Sequence, residues 1–209
     1  TWSPDSKRLA WSDNMNRLRA MEVSSKRLVE VDRTGMGALN DFSWSPDSRW
    51  ITYAKADDNT MSSIWLYSFD SGRATRVTGD MTSESSPAFD PKGRFLYFVS
   101  ARDFEFDGDA SGFRSRVYAA TLHADQGHPF PPKSDEEPAL TEKAGDAAAK
   151  PAGGDAKAGD AKAAPDAKAE PLRIDLDGLG DRVVPLPGVE PGAYQALVGL
   201  DDGLLWFSG

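Results

Sequence analysis

Residues 50–55 have the alternating character of a strand and follow the turn sequence Ser-Pro-Asp-Ser of residues 45–48. In such a turn the proline presets φ, and the Asp and Ser side chains can hydrogen-bond to the local backbone. Alternate residues of a strand lie on opposite faces, which here gives Trp50, Thr52 and Ala54 on one face and Ile51, Tyr53 and Lys55 on the other. Because both faces carry bulky residues, the pattern predicts a strand packed between two other sheets.

This unit of turn and strand recurs along the chain. Residues 1–12 are a near copy, and residues 88–100 are a looser one. The spacing is 42 residues from Trp2 to Trp44 and 45 residues from Trp44 to Phe89. A period of about 40–45 residues, with four short strands in each repeat, is typical of β-propeller blades. Helical repeats can share this period, but the alternation in twos excludes them.

The same alternation predicts the individual strands. In the first two repeats we expect one strand that ends at residue 2. We expect further strands at residues 8–11, 17–23, 28–32, 42–45, 50–54, 64–69 and 74–78. In the third repeat we expect strands at residues 87–89, 95–101 and 116–122, with a loop over residues 103–112. A hairpin of residues 173–178 and 182–186 and the start of a fourth blade at 194–200 and 204–207 should follow. The predicted fold class is all-β, a partial β-propeller of about three and a half four-stranded blades.

A low-complexity insertion divides the chain into three parts. Residues 1–122 are predicted to form propeller blades, residues 123–171 the insertion, and residues 172–209 the continuation of the propeller. Gly and Pro recur too often in the insertion for a stable helix, and it has little to bury, so we expect it to be disordered. It should project within or beside the third strand of a blade. Because a propeller closes by pairing its first and last blades, the number of blades predicts a piece of a longer protein.

Composition and charge limit the kinds of partner and chemistry that the chain can have. The net charge of −9 and the pI of about 4.7 argue against a nucleic-acid surface, which needs clustered Lys and Arg. No run of apolar residues is long enough to span a membrane. The chain contains no cysteine, so disulfides and thiolate chemistry are excluded.

The sequence contains no complete catalytic motif. Gly-x-Ser-x-Gly, His-Glu-x-x-His and phosphate-binding loop sequences are all absent. His123 and His128 could join a metal or act as a base, but no third ligand or nucleophile accompanies them, so we interpret them as exposed loop residues.

Residues 107–112 match the front of a calcium-binding loop, with oxygen donors at its positions 1, 3 and 5 and a glycine at position 6. Tyr118 occupies position 12, where a bidentate Glu is expected, so we interpret the segment as a polar loop between strands. The Trp and Phe residues of the repeats are interpreted as core between blades, and the acids of residues 135–137 as solvated surface. We therefore predict no catalytic, cofactor-binding or metal-binding residue, and no cofactor.

At its Trp-Ser-Pro-Asp-Ser units the chain resembles propellers of the TolB and tricorn type. Residues 128–137, 174–179 and 181–187 resemble, more narrowly, the second propeller of bacterial tricorn protease homologues. In that family two propellers precede a PDZ domain and a serine peptidase core related to the C-terminal-processing peptidases. None of the family's catalytic Ser, His or Glu positions falls within this chain, and the long insertion departs from the family pattern.

The resemblance implies a parent that trims peptides, with peptides or unfolded polypeptide and the other domains of the parent as partners. It also implies a cytoplasmic location, or a periplasmic one if the parent has a signal peptide, and it leaves a homo-oligomer open. A propeller with a polar, acidic lining would gate the protease core, admitting extended polypeptide and excluding folded protein. The alternative is a TolB-like binding scaffold with no peptidase attached. A propeller hydrolase of the prolyl oligopeptidase type would need a Gly-x-Ser-x-Gly segment downstream.

Overall fold

The computed structural model describes residues 1–107, 110–127, 130, 171–201 and 203–208, with the side chains of residues 104–113 and 208 left out. Residues 1–129 and 169–209 form one compact unit, and in the second unit, residues 130–168, only Phe130 is described. His128 and the acids of residues 135–137 therefore lie outside the described residues.

The described residues form thirteen strands in four antiparallel sheets. The first sheet contains β1 (Arg8–Ser12), β2 (Arg17–Glu22) and β3 (Leu28–Arg33), and the second contains β4 (Phe42–Trp44), β5 (Trp50–Ala56), β6 (Ser62–Ser68) and β7 (Arg73–Arg76). The third contains β8 (Glu84–Phe89), β9 (Phe95–Asp107), β10 (Ala110–Thr121) and β11 (Val183–Pro185), and the fourth contains β12 (Tyr194–Leu200) and β13 (Gly203–Ser208). A bridge from Trp2 to Leu9 adds an inner position to the first sheet.

Consecutive strands are neighbours in every sheet, so each sheet is a meander whose first strand is an edge. Matching positions of the sheets repeat in space as they do in sequence. Trp44 pairs with Ile51 in the second sheet, and Phe89 pairs with Leu96 in the third. Each sheet is thus one blade, with its inner strand preceding the repeated turn.

The second blade is packed on both faces, as the alternation of β5 predicts. Ile51 and Tyr53 are fully buried in a cluster shared with the first blade. Trp50 and Ala54 pack instead against a second cluster, which contains Phe89, Leu96 and Phe98 of the third blade. Burying large apolar side chains contributes about 1.5–3 kcal/mol each, so stacking the blades is the main stabilising contact of this fold.

The predicted loop over residues 103–112 is wrong. Strands β9 and β10 continue through it as a long hairpin, in which Asp103 pairs with Arg114 and Asp107 pairs with Ala110. Aromatic and acidic residues alternate over residues 103–107, which is a strand period, and the polar composition of the following residues concealed it.

The predicted hairpin of residues 173–178 and 182–186 is also wrong. Residues 171–176 form no strand, and a short 3₁₀ helix, Leu179–Arg182, leads directly into β11. The N–H of Asp175 donates to the carbonyl of Leu122 at 2.9 Å, and the Arg182 guanidinium donates to the carbonyl of Thr121 at 3.0 Å. These bonds hold the segment beside the end of β10, so the low-complexity stretch enters between the third and fourth strands of the third blade.

Among the described residues, no helix is long and apolar enough to cross a membrane.

Candidate functional site

The inner strands of the third and fourth blades carry the same irregularity. In β8 the register shifts between Ser85 and Ala88, and in β12 it shifts at the matching place, between Gln195 and Val198. Within each shift one residue adopts a positive φ of 52°, Ser86 in β8 and its counterpart in β12. Bulges turn backbone groups away from the partner strand, so these N–H groups become available to a neighbouring blade.

Those N–H groups form a ladder from blade to blade. The N–H of Ser86 donates to Oδ2 of Asp41 at 2.5 Å, and the N–H of Ala196 donates to Oγ of Ser86 at 3.2 Å. Asp41 precedes Ser86 by 45 residues, the spacing from Trp44 to Phe89, and the matching register shifts align Ser86 with Ala196, so the three positions are equivalent. The Ser43 hydroxyl adds a further link by donating to the carbonyl of Pro87 at 2.9 Å. Polar groups of the inner edges are thus used to join neighbouring blades.

Asp41 is the acidic member of this ladder, and it is half-buried just before β4. Burial raises the pKa of its carboxyl group, and the hydrogen bond from the Ser86 N–H opposes that rise. The ionised form is therefore held by one backbone donor in a partly desolvated position.

Glu84, at the start of β8, is fully buried. Its carboxylate accepts hydrogen bonds from the hydroxyls of Thr78 at 2.7 Å, Thr82 at 2.6 Å and Ser100 at 2.9 Å. The Arg102 guanidinium lies 3.2 Å from the same carboxylate. Because both carboxylate oxygens are occupied, Glu84 stabilises the contact between the second and third blades and does not contribute to a polar lining. The sequence signal that could have found it is a charged residue at the start of an inner strand.

A pocket of about 130 Å³ opens between the first two blades. Its walls include Arg8, Glu22, Arg27, Tyr67 and Phe69. The Arg8 guanidinium lies 4.8 Å from the centre of the Phe69 ring. Burial raises the pKa of the Tyr67 hydroxyl, and the charge of Arg27 opposes that rise. The pocket is small, and its walls carry charges of both signs.

Comparison with known proteins identifies the family. The model of the tricorn protease second β-propeller domain matches residues 1–209. The chain belongs to this family. Tricorn protease homolog 1 of Streptomyces coelicolor is 30% identical over 98% of this chain and 18% of its own length. The tricorn protease of Thermoplasma volcanium is 26% identical over 99% of this chain and 18% of its own length.

A crystal structure of the tricorn protease superimposes with a TM-score of 0.69 at 18% identity, covering 99% of this chain and 18% of that one. This match shows the fold, so the predicted partial β-propeller and the predicted resemblance are both confirmed. The chain spans about a fifth or less of the length of the relatives described here.

The repeated turns of the tricorn propeller do more than reverse the chain. Ser6, Ser48 and Gly93 occupy one position of the turn and adopt φ values of 57°, 63° and 67°. The Ser48 hydroxyl, predicted to bond locally, accepts a hydrogen bond from the N–H of Asp5 in the neighbouring blade at 3.0 Å. Oδ2 of Asp47 likewise accepts from the N–H of Leu172 at 2.7 Å. The motif therefore also joins the blades at this end of the sheets.

The structure describes only part of each candidate ligand set from the sequence. His123 is half-buried in the turn after β10, and its predicted companion lies outside the described residues. In the calcium-like segment the backbone of Asp107 belongs to a strand, whereas Asp109 is not described. The described residues contain no group of three His, Cys, Asp or Glu side chains suited to a metal. The absence of catalytic, cofactor-binding and metal-binding residues stays a prediction.

The repeated aromatic residues divide between core and surface. Phe89 and Phe98 are buried in the cluster between the second and third blades, and Trp44 and Trp65 pack against the cluster on the other side. Trp2, at the first inner position, is 57% exposed.

Proposed function

We propose that this chain is the non-catalytic propeller segment of a tricorn-like serine peptidase, in which it passes unfolded polypeptide and peptides to the protease core. The observation that carries the proposal is the match of the tricorn second-propeller family to the whole chain. The rest of the parent, including its PDZ and peptidase domains, would then be its partners.

The hydrogen bonds between the inner edges favour the passage of an extended polypeptide over its retention there. An exposed strand edge with free N–H and C=O groups binds extended peptides by adding a strand. Here the Ser86 and Ala196 N–H groups and the Pro87 carbonyl are bonded to neighbouring blades. An extended polypeptide moving along these edges would find fewer free backbone groups to pair with, so it would not be retained.

A removable plug in the parent protein tests the proposal. The chain has no cysteine, so single cysteines can be introduced at Gln195, exposed in inner strand β12, and at Ala74, exposed in outer strand β7, as the control. Each would be coupled to a bulky polymer through a reducible disulfide in a parent freed of other reactive thiols. Cleavage of an unfolded protein should fall with the polymer at Gln195, recover on reduction, and stay unchanged with the polymer at Ala74.

Equal cleavage of the unfolded protein with and without the polymer at Gln195 would overturn the channel. Cleavage of a folded protein bearing the same site should stay low throughout, because the channel excludes it. A parent with no peptidase core would instead indicate the TolB-like binding scaffold.

A further inference from the structure

Four methionines lie in connections at one end of the blades. Met15 lies between β1 and β2, Met36 between β3 and β4, Met61 between β5 and β6, and Met81 between β7 and β8. Within a sheet, successive connections lie at alternating ends. The connections between sheets begin at the same end as the Met15 and Met61 loops, because Arg33 pairs with Arg17 and Arg76 pairs with Trp65. All four therefore lie at the end opposite the Trp-Ser-Pro-Asp-Ser turns. We call residues 13–16, 34–41, 57–61 and 77–83 the methionine rim.

Hydrogen bonds join these four loops in order. The N–H of Thr34 donates to the carbonyl of Asn16 at 3.0 Å, which joins the first loop to the second. The Thr34 hydroxyl donates to the carbonyl of Ala56 at 3.3 Å, beside the third loop. The Asn59 amide donates to the carbonyl of Asp80 at 2.7 Å, which joins the third loop to the fourth. The rim is therefore one continuous surface across two blades.

The methionine side chains of the rim are open to solvent. Met15 is 60% exposed, Met36 40%, Met61 38% and Met81 85%. The rim contains five Asp residues and no Lys, Arg or aromatic residue. The turns at the other end, residues 3–7, 23–27, 45–49, 69–72 and 90–94, contain six Lys or Arg, four Asp and no methionine. The two ends of the blades thus differ in both apolar and charge character.

We propose that the methionine rim binds extended polypeptide segments that carry apolar and basic side chains. Methionine is unbranched and polarizable, so it adapts to apolar side chains of different shapes. A partner of fixed shape is usually held by Trp, Tyr or Arg anchors, and the rim has none of these. The exposed Asp58 and Asp80 complement basic residues. This inference rests on the proposed function, since it names where unfolded substrates first bind.

Peptide binding to the whole 209-residue chain tests the rim. The probe is a fluorescent, unstructured peptide of Leu, Lys, Gly and Ser, measured by anisotropy. Met15→Gln with Met81→Gln keeps side-chain length while removing the two most exposed sulfur groups. We expect this variant to bind about tenfold more weakly, because it loses two apolar contacts that the bound peptide would partly bury. Val23→Gln with Leu28→Gln, exposed apolar residues at the opposite end, is the matched control and should bind normally.

Two further measurements separate the methionine and charge contributions. Oxidising the exposed methionines to sulfoxides should weaken binding, and reduction by methionine sulfoxide reductases should restore it. Replacing each Lys of the probe by Glu should weaken binding, and Asp58→Asn with Asp80→Asn should reduce that difference between the probes.

Unchanged binding in the double methionine variant, or an equal loss in the control, would overturn the proposal that the methionine rim binds the peptide. The channel and the rim fail separately. If the parent responds to the plug at Gln195 but the 209-residue chain keeps its peptide binding after the methionine substitutions, the rim alone is disproved. If the parent ignores the plug but the chain loses peptide binding with the methionine substitutions, the channel alone is disproved.

Discussion

The buried carboxylate of Glu84 offers a sharp test of how the second and third blades are held together. Its side chain is fully buried and accepts hydrogen bonds from three hydroxyls, while the Arg102 guanidinium lies 3.2 Å away. Glu84→Ala would leave those donors facing a cavity and the arginine without its buried counter-ion. The Arg102 side chain is 30% exposed, so the cost comes mainly from the buried hydroxyls of Thr78 and Ser100, at about 1–3 kcal/mol for each donor left without its acceptor. We therefore expect a loss of about 2–6 kcal/mol in the free energy of unfolding.

Glu84→Gln should have a smaller effect. With its oxygen in the place of Oε1, the Gln side chain keeps the acceptor that Thr82, Ser100 and Arg102 contact. The amide NH₂ then faces the Thr78 hydroxyl, which must change from donor to acceptor while it still accepts from the N–H of Ile64. Losing one charge-assisted hydrogen bond costs about 1.5–3 kcal/mol, part of which this rearrangement recovers.

Urea unfolding followed by tryptophan fluorescence and circular dichroism gives the comparison, with the free energies obtained by linear extrapolation. Glu30→Ala is the control, because Glu30 pairs with Arg33 on the surface, where their side chains are 41% and 58% exposed. An exposed pair of this kind contributes at most about 1 kcal/mol. The expected order of destabilisation is therefore Glu84→Ala, Glu84→Gln, then Glu30→Ala. If Glu84→Ala unfolds at the same urea concentration as Glu30→Ala, the reasoning about the buried cluster is refuted.

Two other predictions concern the inner edges. Burial raises the pKa of Asp41 above its usual 3.8, so stability should fall as pH rises from there through the folded-state pKa. The Asn side chain of Asp41→Asn stays neutral and can still accept from the Ser86 N–H, so the variant should be more stable than the original chain at neutral pH and equally stable in acid. If urea unfolding gives the same difference between the two proteins at both pH values, the prediction is wrong. A Cβ at Gly199 would collide with the carbonyl of Phe89, whereas one at Gly203 meets nothing within 4 Å. Gly199→Ala should lower the melting temperature and cost about 1–3 kcal/mol, and an equal effect of Gly203→Ala would refute the close approach.

The strands that the sequence predicts well are those with a clear two-residue period. The faces assigned to β5 are the observed ones, with Ile51 and Tyr53 on one side and Trp50 and Ala54 on the other. The two errors have different causes: polar composition concealed the strand period of residues 103–107, whereas residues 173–177 alternate in the same way and yet form no strand. The polar stretch over residues 103–112 is part of a hairpin, and residues 171–176 form no strand.

The contacts between blades and the methionine rim were harder to predict because they join residues that are far apart in the chain. Ser86 reads as an ordinary strand residue, yet its N–H reaches Asp41 and its hydroxyl accepts from Ala196, 110 residues later. The methionines read as scattered surface residues until the meander places their four loops at one end of the blades.

The sequence by itself determined most of the strands, the period and the sandwiched blade, because alternation and turn residues act over a few neighbouring positions. Tertiary structure alone decided which polar groups form hydrogen bonds between blades. Glu84 and Asp41 are both acids beside inner strands, but stacking buries the first completely among its donors and leaves the second half-buried with one N–H. That difference depends on how closely two blades pack, and the cost of a buried charge is set by the groups that the neighbouring blade brings to it.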